Sequence, residues 1–429
     1  MTRAFVNWSG QHRATPAGWE SPRSTTEIAD VLTRARRQGR RVRPVGAGHS
    51  WSEIAVPSDI ALDLGRMNRV LEIDASARTI RVEAGIRLFE LTEALDRVGL
   101  AMPILGSVSQ QTVAGATSTG THGSSLVYGN LSSLIEELLL ITPAGDALRL
   151  RAGDPLLDAV RVGIGAVGVV AEVVLRVVPA FTLVGEVEVM PIGEVARALP
   201  AIAASCPLVK VWWLPGARGA HVFRYRRTPE PPHDVRVSRA IDERLVNRFV
   251  FPVALAAAGR WPAITPYVNR AVAASYLERP GVPLRSDLAF NVAMPPIHRE
   301  TEYAFSLAEA EGALLALEAL ITRDDIPVNF PVEVRFVKED AAWMSPAYGR
   351  PTVQIGGYMS DAPDCERFFA GFERLSQERL ARPHWGKETN VDAAYVARVF
   401  PKAAEFVALS RKLDPAGTLR NAFLDRVLG

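Results

Sequence analysis

Two loops of small residues constrain this chain more than any other feature: Pro44-Val45-Gly46-Ala47-Gly48-His49-Ser50 and the longer glycine-rich region from Gly106 to Ser125. In each, successive backbone N–H groups converge without side-chain obstruction. Such an array holds phosphate oxygens without a P-loop. The second loop adds the hydroxyls of Thr112, Thr119 and Thr121 as further donors. Two arrays of this kind point to one large anionic cofactor.

The pattern around the loops is α+β with many short strands. Ile28, Val31, Leu32 and Ala35 recur at helical spacing from Ser24 to Arg37, and Ser24 with Glu27 has the form of a capping box. Short β-type runs follow at Arg41–Val45, Ile60–Leu64, Val70–Ile73 and Thr79–Ala84, then a helical stretch from Leu88 to Val98. Beyond the second loop, Leu134–Thr142, Ala147–Arg151 and Gly168–Val178 again read as strands. Near Pro179 the style of the sequence changes, and Arg226–Arg239, rich in proline and charge, reads as an exposed loop. A length of 429 residues supports two domains. The expected boundary gives residues 1–180 and 181–429, with the C-terminal segment packing back on the first domain.

Charge and cysteine content narrow the function classes. A formal charge of +2 gives no concentrated basic field, which argues against nucleic acid as a partner. Cys206 and Cys365 stand far apart, so neither a disulfide framework nor a metal site is supported. The first ten residues lack an apolar core of signal-peptide length, and the longest apolar stretch, Phe249–Ala258, is too short to span a bilayer. A cytoplasmic location and no transmembrane segment are expected.

Gly163-Ile164-Gly165-Ala166-Val167-Gly168 matches the GxGxxG dinucleotide fingerprint, but in the wrong order. That fingerprint needs a strand before the glycines and a helix after them. Here Pro155–Arg161 reads as helix and Val169–Val178 as strand, which predicts a closely packed turn instead.

Four groups of residues carry chemistry. His49 fits a ligand, a base, a covalent attachment point or a surface imidazole at a turn; His122 has the same ambiguity, with a loop-shaping role favoured. In the alternating run Val332–Val337, Glu333 and Arg335 share one face of a strand. That face is either solvated or the wall of a cleft, where an arginine stabilises a developing alkoxide and a carboxylate orients it. Arg382-Pro383-His384-Trp385-Gly386-Lys387 sets an imidazole beside one of only five lysines, in a surface turn or at a site.

Taken in order, these motifs resemble the vanillyl-alcohol-oxidase type of flavoprotein, and within it the aldonolactone and alditol oxidases. The resemblance runs through Val45–Ser50, Thr112-Val113-Ala114-Gly115, Gly120-Thr121-His122-Gly123, Glu333-Val334-Arg335, Ser345–Arg350, His384–Lys387 and Leu413–Thr418. It implies an FAD-binding domain of two α+β subdomains, followed by a substrate (cap) domain with an antiparallel sheet. It implies cofactor contacts from Pro44, Val45, Gly46, Ala47, Gly48, His49, Ser50, Gly106, Ser107, Thr112, Gly115, Thr119, Gly120, Thr121, His122 and Val170, with His49 as the flavin-linking residue. The catalytic set carried over is Ser107, Glu333, Arg335 and Lys387, and Tyr358 and His384 join these in contacting substrate.

The implied reaction is hydride transfer from an alcohol carbon of a small polyhydroxylated substrate, a sugar lactone or an alditol, to flavin N5. Gly106, before Ser107, is the smallest choice where the family controls oxygen access, which favours O2 as acceptor over a dehydrogenase; the alternative is that it only permits a turn. The substrate signals divide. Tyr358 stands where alditol oxidases carry a threonine, and Val334-Arg335-Phe336 resembles the gulonolactone-oxidising branch, whereas His384–Lys387 is similar to alditol oxidases. A flavin- or sugar-binding protein without turnover is the competing class.

Overall fold

The computed structural model describes residues 3–429 apart from Pro280, Ala293, Met294 and Asp361. After a short antiparallel pair, Phe5–Val6 with Arg13–Ala14, comes a three-stranded parallel sheet in the order Gly18–Glu20, Ile60–Asp63, Val42–Val45. The helix Thr25–Arg37 covers it with the predicted apolar face, and Ser24 caps that helix by accepting from the Glu27 N–H. The capping box is not closed as expected: the Glu27 carboxylate accepts from the Arg23 N–H, one residue outside the cap.

A five-stranded antiparallel sheet follows, ordered Ala147–Arg151, Ile135–Ile141, Val169–Arg176, Thr79–Glu83, Val70–Asp74. The glycine-rich region contains a helix the sequence did not announce, Val113–Ser118, capped by the Thr112 hydroxyl. Its small residues carry no amphipathic signal, and the helix persists because Val113 and Ala116 are buried in the core.

From Thr182 onward an eight-stranded antiparallel sheet dominates, ordered Leu284–Arg285, Thr182–Met190, Ala220–Thr228, Leu208–Trp213, Val332–Val337, Thr352–Met359, Arg299–Ser306, Arg382–Pro383. Helices Ile192–Ser205, Leu307–Arg323 and Cys365–Glu378 bury apolar residues with the Val332, Val334 and Phe336 side of the sheet. The segment read as a loop, Arg226–Arg239, is strand to Thr228 and helix from Arg236, with exposed residues between them. After it, helical turns run from Arg236 to Leu277.

The C-terminal residues return to the first sheet. The Val42 N–H donates to Thr418 O, and Asn421 Nδ2 donates to Glu53 O and Val56 O. Buried Arg43 joins three segments through carbonyls of Ile54, Ile164, Gly165 and Leu419. This accounts for the failed fingerprint. Gly165 sits at φ +68°, and a Cβ there would lie 2.8 Å from Arg43 Nη2. The glycine makes room for an arginine.

Candidate active site

Two adjoining cavities hold nearly all the residues singled out by the sequence. The first is lined by Pro44, Val45, Gly46, Ala47, Gly48, His49 and Ser50, with Thr112, Gly115, Thr119 and Val170 opposite. The second is lined by Gly106, Ser107, Thr121, His122, Glu333, Arg335, Tyr358, His384 and Lys387. His49, Ser50, Gln111 and Thr119 border both. Gly120, an expected cofactor contact, lines neither; at φ +74° it turns the chain, and a Cβ there would face Pro346.

The first cavity fits the diphosphate of a dinucleotide. No carboxylate lines it among the described residues. Nor do the backbone N–H groups of Ala47, Gly48, His49 and Ser50 donate to any acceptor of the described protein. Gly46 lets the loop pass close to Thr112, whose Oγ1 a Cβ would meet at 2.6 Å. Open amides, small residues and a positive-φ glycine at 48 form the concave donor array that anionic oxygens require.

His49 stacks on Trp8, with ring centroids 5.7 Å apart. Burial pulls its pKa down to about 4, and Arg87 and Lys387 push in the same direction. The imidazole is therefore neutral at physiological pH, with a lone pair free for bonding.

The second cavity is built on one face of the large sheet. Strand alternation puts Glu333 and Arg335 on the face opposite Val334, and register aligns Arg335 with Lys210 and Glu333 with Trp212. Arg335 Nη2 donates to Ser107 Oγ at 2.6 Å and to Glu333 Oε2 at 2.7 Å, and Nη1 donates to His122 O at 3.3 Å. Glu333, 2% exposed, also accepts from Trp212 Nε1 at 2.6 Å and from the Tyr358 hydroxyl. Burial pushes its pKa up, but Arg335, Lys210 and these hydrogen bonds outweigh that and leave it below the usual carboxylate value. Burial also opposes the Arg335 charge, yet Glu333 holds that cation more firmly than in water.

Lys387 pairs with the Glu300 carboxylate and lies 4.2 Å from the centre of the Trp51 ring. Burial pulls its ammonium down to about 7, and an ionised Glu300 works against that pull. Glu300 Oε1 faces His298 Nε2 at 2.9 Å. Next along the strand face, Glu302 Oε1 faces His122 Nε2 at 2.8 Å. Burial raises the Glu302 pKa, but His122, His384 and Arg335 bring it to about 2. His384 lies 5.5 Å from the His122 ring and accepts at Nδ1 from the Gly386 N–H, while burial lowers its pKa to about 4.

Sequence reasoning missed Glu300, Glu302, His298, Trp212, Trp51 and Gln111, all of which line the second cavity. A signal existed for three of them. His298, Glu300 and Glu302 alternate with Arg299 and Thr301, the same period that flagged Glu333 and Arg335.

The chain matches two protein-family descriptions: residues 16–151 the FAD binding domain, and residues 173–427 D-arabinono-1,4-lactone oxidase. L-gulono-1,4-lactone dehydrogenase of Mycobacterium tuberculosis is 31% identical over 430 residues, covering all of both chains. Alditol oxidase of a Streptomyces species is 31% identical over 448 residues, again covering all of both. L-gulonolactone oxidase of Bos taurus is 29% identical over 434 residues, 99% of this chain and 98% of the other. Among solved structures, a cholesterol oxidase from B. sterolicum superposes with a TM-score of 0.84 at 17% identity, over 100% of this chain and 97% of that one, a likeness of fold alone. With an anion cradle, an adjoining charged cavity and matches that span the chain, this protein belongs to the D-arabinono-1,4-lactone oxidase family of FAD-dependent oxidoreductases, on the vanillyl-alcohol-oxidase fold.

Proposed function

We propose that this protein oxidises an alcohol carbon of an aldono-1,4-lactone of the L-gulono, L-galactono or D-arabinono type, with O2 as acceptor and H2O2 as product. The observation that carries the reading is the meeting of Ser107, Glu333, Arg335, Tyr358, His384 and Lys387 in one cavity that shares His49 with the anion cradle. Residues 1–180 would hold FAD and residues 181–429 the substrate, in a cytoplasmic enzyme. FAD would supply the hydride acceptor, held by the Pro44–Ser50 loop, Thr112, Gly115, Thr119 and Val170, and tethered covalently through His49.

Within that frame the chain's own groups divide the work. Arg335, fixed by Glu333 and Ser107, offers permanent positive charge to the substrate hydroxyl oxygen as it becomes anionic. Glu333 has too many donors to serve as base; it aligns Arg335 and Tyr358. Lys387 is the better proton acceptor, because burial brings its ammonium near neutrality. Gly106 borders the same cavity, which agrees with an open path for O2, although a Cβ there would also press on His122 O and Thr121 Cγ2 at 3.2 Å. That crowding gives the glycine a packing reason of its own, and the dehydrogenase relative makes a non-oxygen acceptor the second reading.

The test is peroxide release in air by purified yellow protein given matched panels of aldono-1,4-lactones and alditols, with a dye acceptor in parallel. Peroxide from lactones is the expected result. Preference for polyols would place the protein with alditol oxidases, and dye reduction without peroxide would make it a dehydrogenase.

A further inference from the structure

Large apolar side chains left in solvent are concentrated on one element. Val237, Ile241, Leu245, Phe249 and Val253 are 75%, 50%, 55%, 57% and 70% exposed and recur every four residues, and exposed Trp261 and Tyr267 follow. The helix geometry keeps the stripe straight. Four α-helical residues overshoot a full turn by about 40°, so a spacing of four would wind round a regular helix. Here residues 242–250 form a wider π-helical stretch between the α-helices Arg236–Ile241 and Phe251–Arg260, where four residues fall short of a turn. The two drifts offset each other. The opposite side of the same helices is inward: Asn247, Phe251 and Leu255 line the second cavity, joined by Val268, Val272 and Tyr276 from the helical turns that follow.

Charge on the outer side is one-sided. Arg244, Arg248, Arg260 and Arg270 are exposed, whereas Glu243 is the exposed acid between 236 and 270; Asp242 is engaged by Arg279, and Arg236 is paired with exposed Asp234. Two copies of this face would bring arginine against arginine. An apolar ridge flanked by arginines, with a tryptophan and a tyrosine at its end, has instead the composition of a helix lying in a lipid–water interface.

We propose that the outer face of residues 236–270 docks this protein on a membrane surface that carries anionic lipids, with Leu245 and Phe249 entering the acyl boundary and Arg244 and Arg248 at the headgroups. Docking is peripheral: among the described residues no helix is long and apolar enough to cross a membrane. The proposal does not depend on which substrate is oxidised. Its consequence is that the roof of the substrate cavity is the part of the molecule nearest the bilayer.

The experiment is sedimentation of the full-length holoenzyme with vesicles of phosphatidylcholine alone or mixed with phosphatidylglycerol, beside size-exclusion chromatography without lipid. Binding to the anionic vesicles is expected, weakening as salt is raised. Leu245→Ser with Phe249→Ser should weaken it at least tenfold. Arg244→Glu with Arg248→Glu should abolish the preference for phosphatidylglycerol, since each basic residue near such a surface is worth about fivefold. Neither pair lines the cavities, so turnover in lipid-free buffer should be unchanged and serves as the folding control. Failure of the wild type to sediment with either vesicle overturns the proposal. So does a concentration-dependent dimer that the serine variants dissociate without any vesicle binding, which would assign the ridge to a second copy.

Discussion

Replacing Arg335 by alanine separates its proposed electrostatic role from its structural one. The guanidinium makes the two short bonds to Ser107 and Glu333 and the longer one to His122 O. Loss of a preorganised donor at a developing oxyanion slows the chemical step by about 10²- to 10³-fold, or ~2.7–4 kcal/mol. Flavin reduction should slow by that factor, while FAD retention holds because Arg335 does not line the anion cradle. Stability should change with a pH signature. In the wild type the folded Glu333 carboxyl titrates below its ordinary value. It therefore stabilises the fold above its unfolded pKa, about 4.3, and that contribution is lost as pH falls through the folded value. Without Arg335, burial dominates and the folded pKa rises above the unfolded one. An ionised Glu333 then destabilises the variant at high pH and is relieved on acidification. Breaking a buried pair costs about 3–5 kcal/mol, and the remaining bonds from Trp212 and Tyr358 favour the lower end. The stability gap should be about 3 kcal/mol at pH 8 and narrow towards pH 5. Anaerobic stopped-flow spectroscopy and urea unfolding at the two pH values measure both effects. Reduction within tenfold of wild type would remove Arg335 from oxyanion stabilisation, and a gap indifferent to pH would mean that Arg335 does not hold Glu333 ionised.

Three further outcomes test other parts of the site. His49→Ala should leave a yellow protein whose flavin comes free on denaturation; wild type that releases all its flavin under the same treatment rules out the covalent link. Glu300→Gln removes the charge that opposes deprotonation of Lys387, so the rise of flavin reduction with pH should move to lower pH by about one unit, ~1.4 kcal/mol, and an unmoved profile would dissociate the two residues. Gly165→Ala forces a side chain into positive φ and against Arg43, so it should cost about 2–4 kcal/mol in urea unfolding; a loss below ~1 kcal/mol would mean that Arg43 relaxes freely.

Much of the fold was legible because its elements obey simple periods. The helix Thr25–Arg37 and the strands of the first two sheets lie within a residue or two of where apolar spacing placed them, except Gly18–Glu20, whose three residues are too few to show a period. The helix Val113–Ser118 escaped notice because alanine, glycine and threonine give no hydrophobic contrast to count. The site was legible where a motif was dense and obscure where it was dispersed. The Pro44–Ser50 loop announces an anion cradle by composition, but Glu300 and Glu302 acquire meaning only when register sets the Arg299–Ser306 strand beside Thr352–Met359. No local rule reports that two alternating strands more than 25 residues apart face one cavity.

That register also bears on which substrate the site accepts. Gly356 is paired with Glu333 on one side and Glu302 on the other, so the row between two carboxylates contains a position without a side chain. The Tyr358 ring occupies the gap, and a Cβ on Gly356 would lie 2.9 Å from its Cε1. From there the hydroxyl reaches Glu333 and takes one of its acceptor positions. With Arg335 and Trp212 also donating to it, the carboxylate has little capacity left for a row of substrate hydroxyls. An open-chain alditol brings only hydroxyls and gains from free acceptors. A lactone brings a ring carbonyl and ring oxygen that accept instead, and the Arg335 guanidinium and the Lys387 amino group in the same cavity carry N–H donors. On the proposed function, tyrosine at 358, admitted by glycine at 356, would tilt this cavity towards lactones, whatever wording His384–Lys387 shares with alditol oxidases.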